Sequence, residues 1–163
     1  MRWLLMISIF FAIQQKTLSQ QPSSVTLETD FFTLDFPGIP EFECDTLQDS
    51  LLLVKHSYSF QDQNNIMYAL VYRDRTEEDH KHQTFKSEID WLSYWTMAEI
   101  SEKKKGQLEN NPTLQFLANT STEKIYFFYI LTKKHFIRIG IGSRENIAEE
   151  AAHQFFDSFK LKQ

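Results

Sequence analysis

With 163 residues and a single cysteine, the chain suits one domain with a substantial core and can close no internal disulfide. Its formal charge of −5 argues against nucleic acid or an anionic lipid surface as a partner, because binding phosphate requires Lys and Arg to neutralise it. Apolar residues at 42% and aromatics at 15% supply enough material for a real core.

The chain opens with Met1-Arg2, an uncharged apolar run from Trp3 to Ile13, and a polar stretch from Gln14 to Gln20. This three-part pattern predicts a secretory signal peptide over 1–19, cleaved after Ser19. The run is shorter than the roughly 20 apolar residues that span a bilayer, so no stable membrane insertion is expected after cleavage. The protein is therefore expected to be exported, to a periplasm or outside the cell. Residues 20–24 read as a short flexible segment, and 25–163 as a single domain.

Val25 to Glu28 reads as a short edge strand. Phe31 to Phe36 alternates, with Phe32, Leu34 and Phe36 on one face, and breaks at Pro37-Gly38. Strands follow over Phe42 to Leu47 and Leu51 to Phe60, then a polar turn, then Ile66 to Tyr72, apolar on both faces. From Phe85 to Lys105 the spacing of Phe85, Ile89, Leu92, Trp95 and Ile100 predicts one long helix, with Lys103-Lys104-Lys105 complementing its dipole and Gly106 at its end. Thr113 to Leu117 is a short strand. Lys124 to Leu131 is again apolar on both faces, Thr132-Lys133-Lys134 is a hairpin turn, and His135 to Ile141 alternates. Asn146 and Glu149 form a capping-box-like pair for a last helix that buries Ile147, Ala151, Ala152, Phe155, Phe156 and Phe159. Strands apolar on both faces need cover on both sides. The expected class is α+β, an antiparallel sheet of six or seven strands flanked by helices on both faces.

The start Phe32-Thr33-Leu34-Asp35-Phe36-Pro37-Gly38-Ile39-Pro40 and the end Phe155-Phe156-Asp157-Ser158-Phe159-Lys160-Leu161 bracket the domain. With the hairpin, helix and second meander between them, they resemble small exported bacterial proteins of the PsbP-like superfamily. That resemblance implies an α/β/α sandwich used for docking, with no shared catalytic apparatus and no cofactor. Fold alone does not fix function.

Two clusters carry candidate sites. The run Glu77-Glu78-Asp79-His80-Lys81-His82 could hold a divalent metal through His80, His82 and Asp79, since on an extended segment both imidazoles point the same way. As a solvated loop between a strand and a helix, the same run needs no metal. Trp91, Tyr94 and Trp95 form an aromatic knot on the predicted helix; they either pack into the core or leave Trp91 and Tyr94 as anchors for a partner. Cys44, on a strand, reads as a small buried hydrophobe, and His56 and His135 as core or rim residues. The expected function is that of a non-catalytic module that binds another protein or assists an assembly in the cell envelope. The alternative is a small-ligand or metal-binding module built on the 77–82 run.

Overall fold

The structure, a computed structural model, describes residues 24–49, 51–144, 147 and 149–162. The expected signal segment, most of the 20–24 linker and the capping residue Asn146 lie outside them. In chain order the elements are β1 (Val25–Glu28), β2 (Phe32–Phe36), β3 (Glu41–Asp49), β4 (Leu51–Gln61), β5 (Met67–Asp74), α1 (Glu77–His82), α2 (Phe85–Thr96), β6 (Glu99–Leu108), β7 (Asn111–Asn119), β8 (Lys124–Leu131), β9 (His135–Ser143), α3 (Glu149–Asp157) and β10 (Lys160–Leu161).

Seven strands form one antiparallel sheet in the order β3-β4-β5-β9-β8-β7-β6, and β1-β2-β10 form a second sheet of three. Short connections produce the β3-β4-β5 and β6-β7-β8-β9 runs, whereas β5 with β9 and β2 with β10 pair across long stretches of chain. The Asp62 carboxylate accepts from the amides of Asn64 and Ile66 at 2.8 and 2.9 Å and closes the β4–β5 turn. Glu109 and Asn110 both take positive φ, the backbone of a tight two-residue hairpin between β6 and β7. The Thr132 hydroxyl accepts from the His135 amide at 2.8 Å at the β8–β9 turn.

The two faces of β8 and β9 enter different cores. Phe128, Ile130, Ile137, Ile139 and Ile141 pack with Phe32, Leu34 and Phe36 of β2 and with Ala152, Phe155 and Phe156 of α3. Tyr129, Leu131 and Phe136 pack on the other side with Ile89 and Leu92 of α2. The two ends of the domain meet there: Leu161 of β10 registers with Phe32, and the Phe32 and Phe159 rings stack with centroids 5.4 Å apart.

Three expectations are corrected. The protein is not an α+β sandwich with helices flanking the sheet on both faces. It is mostly β, with ten strands and three helices among the described residues, and a three-stranded sheet shares the cover of one face with α3. The expected helix over Phe85–Lys105 stops at Thr96, where Met97 turns left-handed with φ of 53°. Its second half is β6, paired along β7 from Glu99↔Asn119 to Leu108↔Asn111, with a register shift between Ser101 and Lys104. The apolar spacing runs on past Leu92 through Trp95 and Ile100 without holding the helix, and Lys103, Lys104 and Lys105 lie exposed on an outer strand, where lysines discourage further strand addition. Gly106 is therefore a strand residue and not a helix stop. Cys44 is exposed rather than buried, because β3 is the opposite outer strand and every residue from Glu41 to Asp45 faces solvent.

Gly38 is buried, and a Cβ there would overlap the Phe60 ring. Gly38→Ala is expected to cost about 1–3 kcal/mol by forcing that ring aside. Chemical denaturation measures this, and an unchanged midpoint would show that the Phe60 ring yields freely.

Candidate functional site

Helix α2 starts at Thr84, whose hydroxyl accepts from the Ser87 amide at 3.2 Å while the Ser87 side chain accepts from the Thr84 amide at 2.9 Å. Ile89 and Leu92 turn inward, with Phe85 packed beside them. Trp91, Tyr94 and Trp95 occupy the opposite side, as the helical period dictates. They are 54%, 75% and 67% exposed, and Met97 just beyond them is 89% exposed. The Trp91 and Trp95 rings lie 6.4 Å apart between centroids, and Tyr94 meets Trp95 edge-on at 5.4 Å. Two further bonds hold the helix end: Thr96 Oγ1 donates to the Leu92 carbonyl at 2.7 Å, and Ser93 Oγ to that of Ala98 at 2.9 Å. Ala98 is buried, so the chain re-enters the core immediately after Met97 and leaves the thioether side chain outside.

Trp91 and Tyr94 therefore stand where a partner can reach them. Core packing, the other expectation, applies to none of the three aromatics. Trp95 and Met97 belong to the same surface, although spacing alone assigns Trp95 to the buried stripe. The signal that separates them is the position of Ile89 and Leu92, which fixes a narrow inward stripe with Trp95 outside it.

The 77–82 run is a helix and not an extended loop. Thr76 and Asp79 cap α1 reciprocally: Thr76 Oγ1 accepts from the Asp79 amide at 3.1 Å, and Asp79 Oδ2 accepts from the Thr76 amide at 2.8 Å. On a helix, residues two apart diverge, so His80 and His82 do not share a side. The His82 Nε2 lies 3.0 Å from Glu78 Oε1. Asp79 is taken up by Arg73, whose Nη1 and Nη2 donate to its two carboxylate oxygens at 2.6 and 3.0 Å. Partial burial alone would push the Asp79 carboxyl up, but hydrogen bonds from Arg73 and Thr76 and the Arg73 charge outweigh it, and its pKa falls to about 2. The three expected metal ligands are thus held apart. Among the described residues, no group of three or more His, Cys, Asp or Glu is gathered as a metal site.

His56 and His135 are joined through other rings. His56 stacks on Tyr72 at 4.7 Å, Tyr72 meets Phe31 edge-on at 5.2 Å, and Phe31 stacks on His135 at 3.8 Å. Burial holds His135 below the ordinary histidine range despite the opposing pull of Asp74. Burial, reinforced by Tyr58, lifts Tyr72 to about 12, so it is a neutral phenol at physiological pH. Among the described residues, no helix is long and apolar enough to cross a membrane. The sequence matches no protein-family model and no curated protein.

Proposed function

We propose that this is a non-catalytic protein-docking module of the cell envelope, which engages its partner through Trp91, Tyr94, Trp95 and Met97. The observation that carries this reading is the exposure of three mutually contacting rings, Trp91, Tyr94 and Trp95, with exposed Met97 just beyond them in the chain, on a helix whose other side is well packed. Leaving such a cluster in water is unfavourable, at about 25 cal/mol per Å² of apolar surface, and Trp and Tyr are the side chains that most often dominate binding energy. The exposed carboxylates of Asp90 and Glu99 flank the cluster along the chain. The partner surface that fits is a protein face with apolar pockets and Lys or Arg side chains, which gain from both the aromatic faces and the carboxylates. The PsbP-like resemblance is retained only for the docking role it implies, and export through residues 1–19 is part of the same proposal.

A benzophenone side chain placed at position 94 tests it in the producing cell. The expected result is a discrete protein adduct that is absent when the probe sits at exposed position 107 and is lost when Trp91 and Trp95 are both Ala. That double variant should unfold within about 0.5 kcal/mol of the parent, since surface substitutions rarely cost more. Adducts to lipid alone, or a protein adduct that survives the double substitution, would refute the reading.

A further inference from the structure

Away from α2, a cavity of about 690 Å³ opens beside the β8–β9 turn. Four separated parts of the chain build it: Arg75 and His80 around α1, the β6–β7 hairpin from Glu109 to Pro112, Lys133 and Lys134 on the turn, and Phe31 with Leu161 at the meeting of the domain's two ends. Its positive charge stands out on a chain of net −5. Glu109 is the one carboxylate on its described lining. Lys162, also on the lining, is neutralised by Glu28 at 2.6 Å. Arg75 is not neutralised in this way. Its guanidinium donates to the Gln83 side-chain oxygen at 3.1 Å, to the Thr132 carbonyl at 2.8 Å and to the Asp79 carbonyl at 3.4 Å, all uncharged acceptors. These bonds brace the guanidinium without cancelling its charge. Lys133 and Lys134 are exposed on a tight turn whose backbone is fixed by the Thr132 hydroxyl. Phe31, fixed against His135, supplies a flat apolar wall, and Leu161 extends it.

We propose that this cavity binds a small phosphomonoester with an aromatic or apolar body. The phosphate dianion meets Arg75, Lys133 and Lys134, whose combined charge exceeds what the Glu109 carboxylate can offset, and the organic body lies on Phe31 and Leu161. The volume falls in the range of small-molecule sites, and braced guanidinium and ammonium groups are the usual partners of phosphate. This site is independent of the α2 surface, and its failure would leave the docking reading untouched.

Phenyl phosphate is the probe, followed by calorimetry on the full chain. Saturable binding is expected, weakening as salt rises. Lys133→Ala combined with Lys134→Ala removes two exposed side chains that hold nothing in the fold, and should weaken binding at least about tenfold while leaving the melting temperature of the free protein unchanged. Phe31→Leu should weaken phenyl phosphate more than inorganic phosphate. Absence of saturable binding, or binding retained at parental strength by the double lysine variant, would overturn the proposal. Benzoate bound as tightly as phenyl phosphate would overturn its assignment to phosphate.

Discussion

Phe32→Ala is expected to destabilise the protein by about 3–5 kcal/mol, the range for deleting a buried Phe from a close-packed core. Phe32 is 0% exposed. Its ring meets Phe31 at 4.9 Å, Tyr72 at 5.5 Å and Phe159 at 5.4 Å. It therefore joins the three-stranded sheet, the seven-stranded sheet and the C-terminal segment at one point. Alanine would leave a cavity walled by β-sheet on two sides, which cannot collapse easily, so the upper part of the range is expected. In a domain of this size the loss amounts to a fall of about 10–20 °C in melting temperature. Thermal unfolding by circular dichroism reads it directly. A loss below about 1 kcal/mol would mean that the two ends of the domain do not share a core.

Arg73→Ala is expected to cost about 2–3 kcal/mol, less than a fully buried pair because some solvent reaches it. The Arg73 and Asp79 side chains are each 16% exposed and bond through two N–H···O contacts. Removing the guanidinium strands the Asp79 carboxylate and uncovers the Phe136 face, above which the Arg73 guanidinium carbon lies at 6.0 Å. The pair also sets a pH dependence. The Asp79 carboxyl titrates at about 2 in the folded protein and near its ordinary value of 3.8 when unfolded. The unfolded state therefore takes up the proton first as the pH falls. The stabilisation is complete above about pH 4 and disappears between pH 4 and pH 2, a loss of about 1–2 kcal/mol once solvent screening is allowed for. Asp79→Asn should show a shallower decline over that interval. Equal slopes for parent and variant would place the acid sensitivity in other carboxylates.

The same ion pair explains why the 77–82 run is hard to interpret from sequence. Its composition offers two imidazoles and three carboxylates, which fits metal chemistry. What decides its role is Arg73, six residues before Asp79 at the end of β5, together with the Thr76 cap that makes the segment helical. The expected extended loop allowed for neither Thr76 nor Thr84 as a helix cap. The anion cavity left no trace in the sequence, since Phe31, Arg75, Lys133 and Leu161 come together only through the order of the strands.

Alternation alone determined β2, β4 and β9, because side chains on a strand change sides at every residue and a buried side must be apolar. The paired apolar sides of Lys124–Leu131 determined that β8 would be covered twice, and it is, by α2 on one side and by β2 with α3 on the other. The tertiary structure decided what the covering layers are, where α2 stops and which of its aromatics meet water. Periodicity is a property of neighbours along the chain, whereas cover comes from distant segments. Lys103–Lys105 became an outer strand because β7 offered it hydrogen bonds, and Trp91, Tyr94 and Trp95 remain exposed because, among the described residues, the fold places no other segment over them.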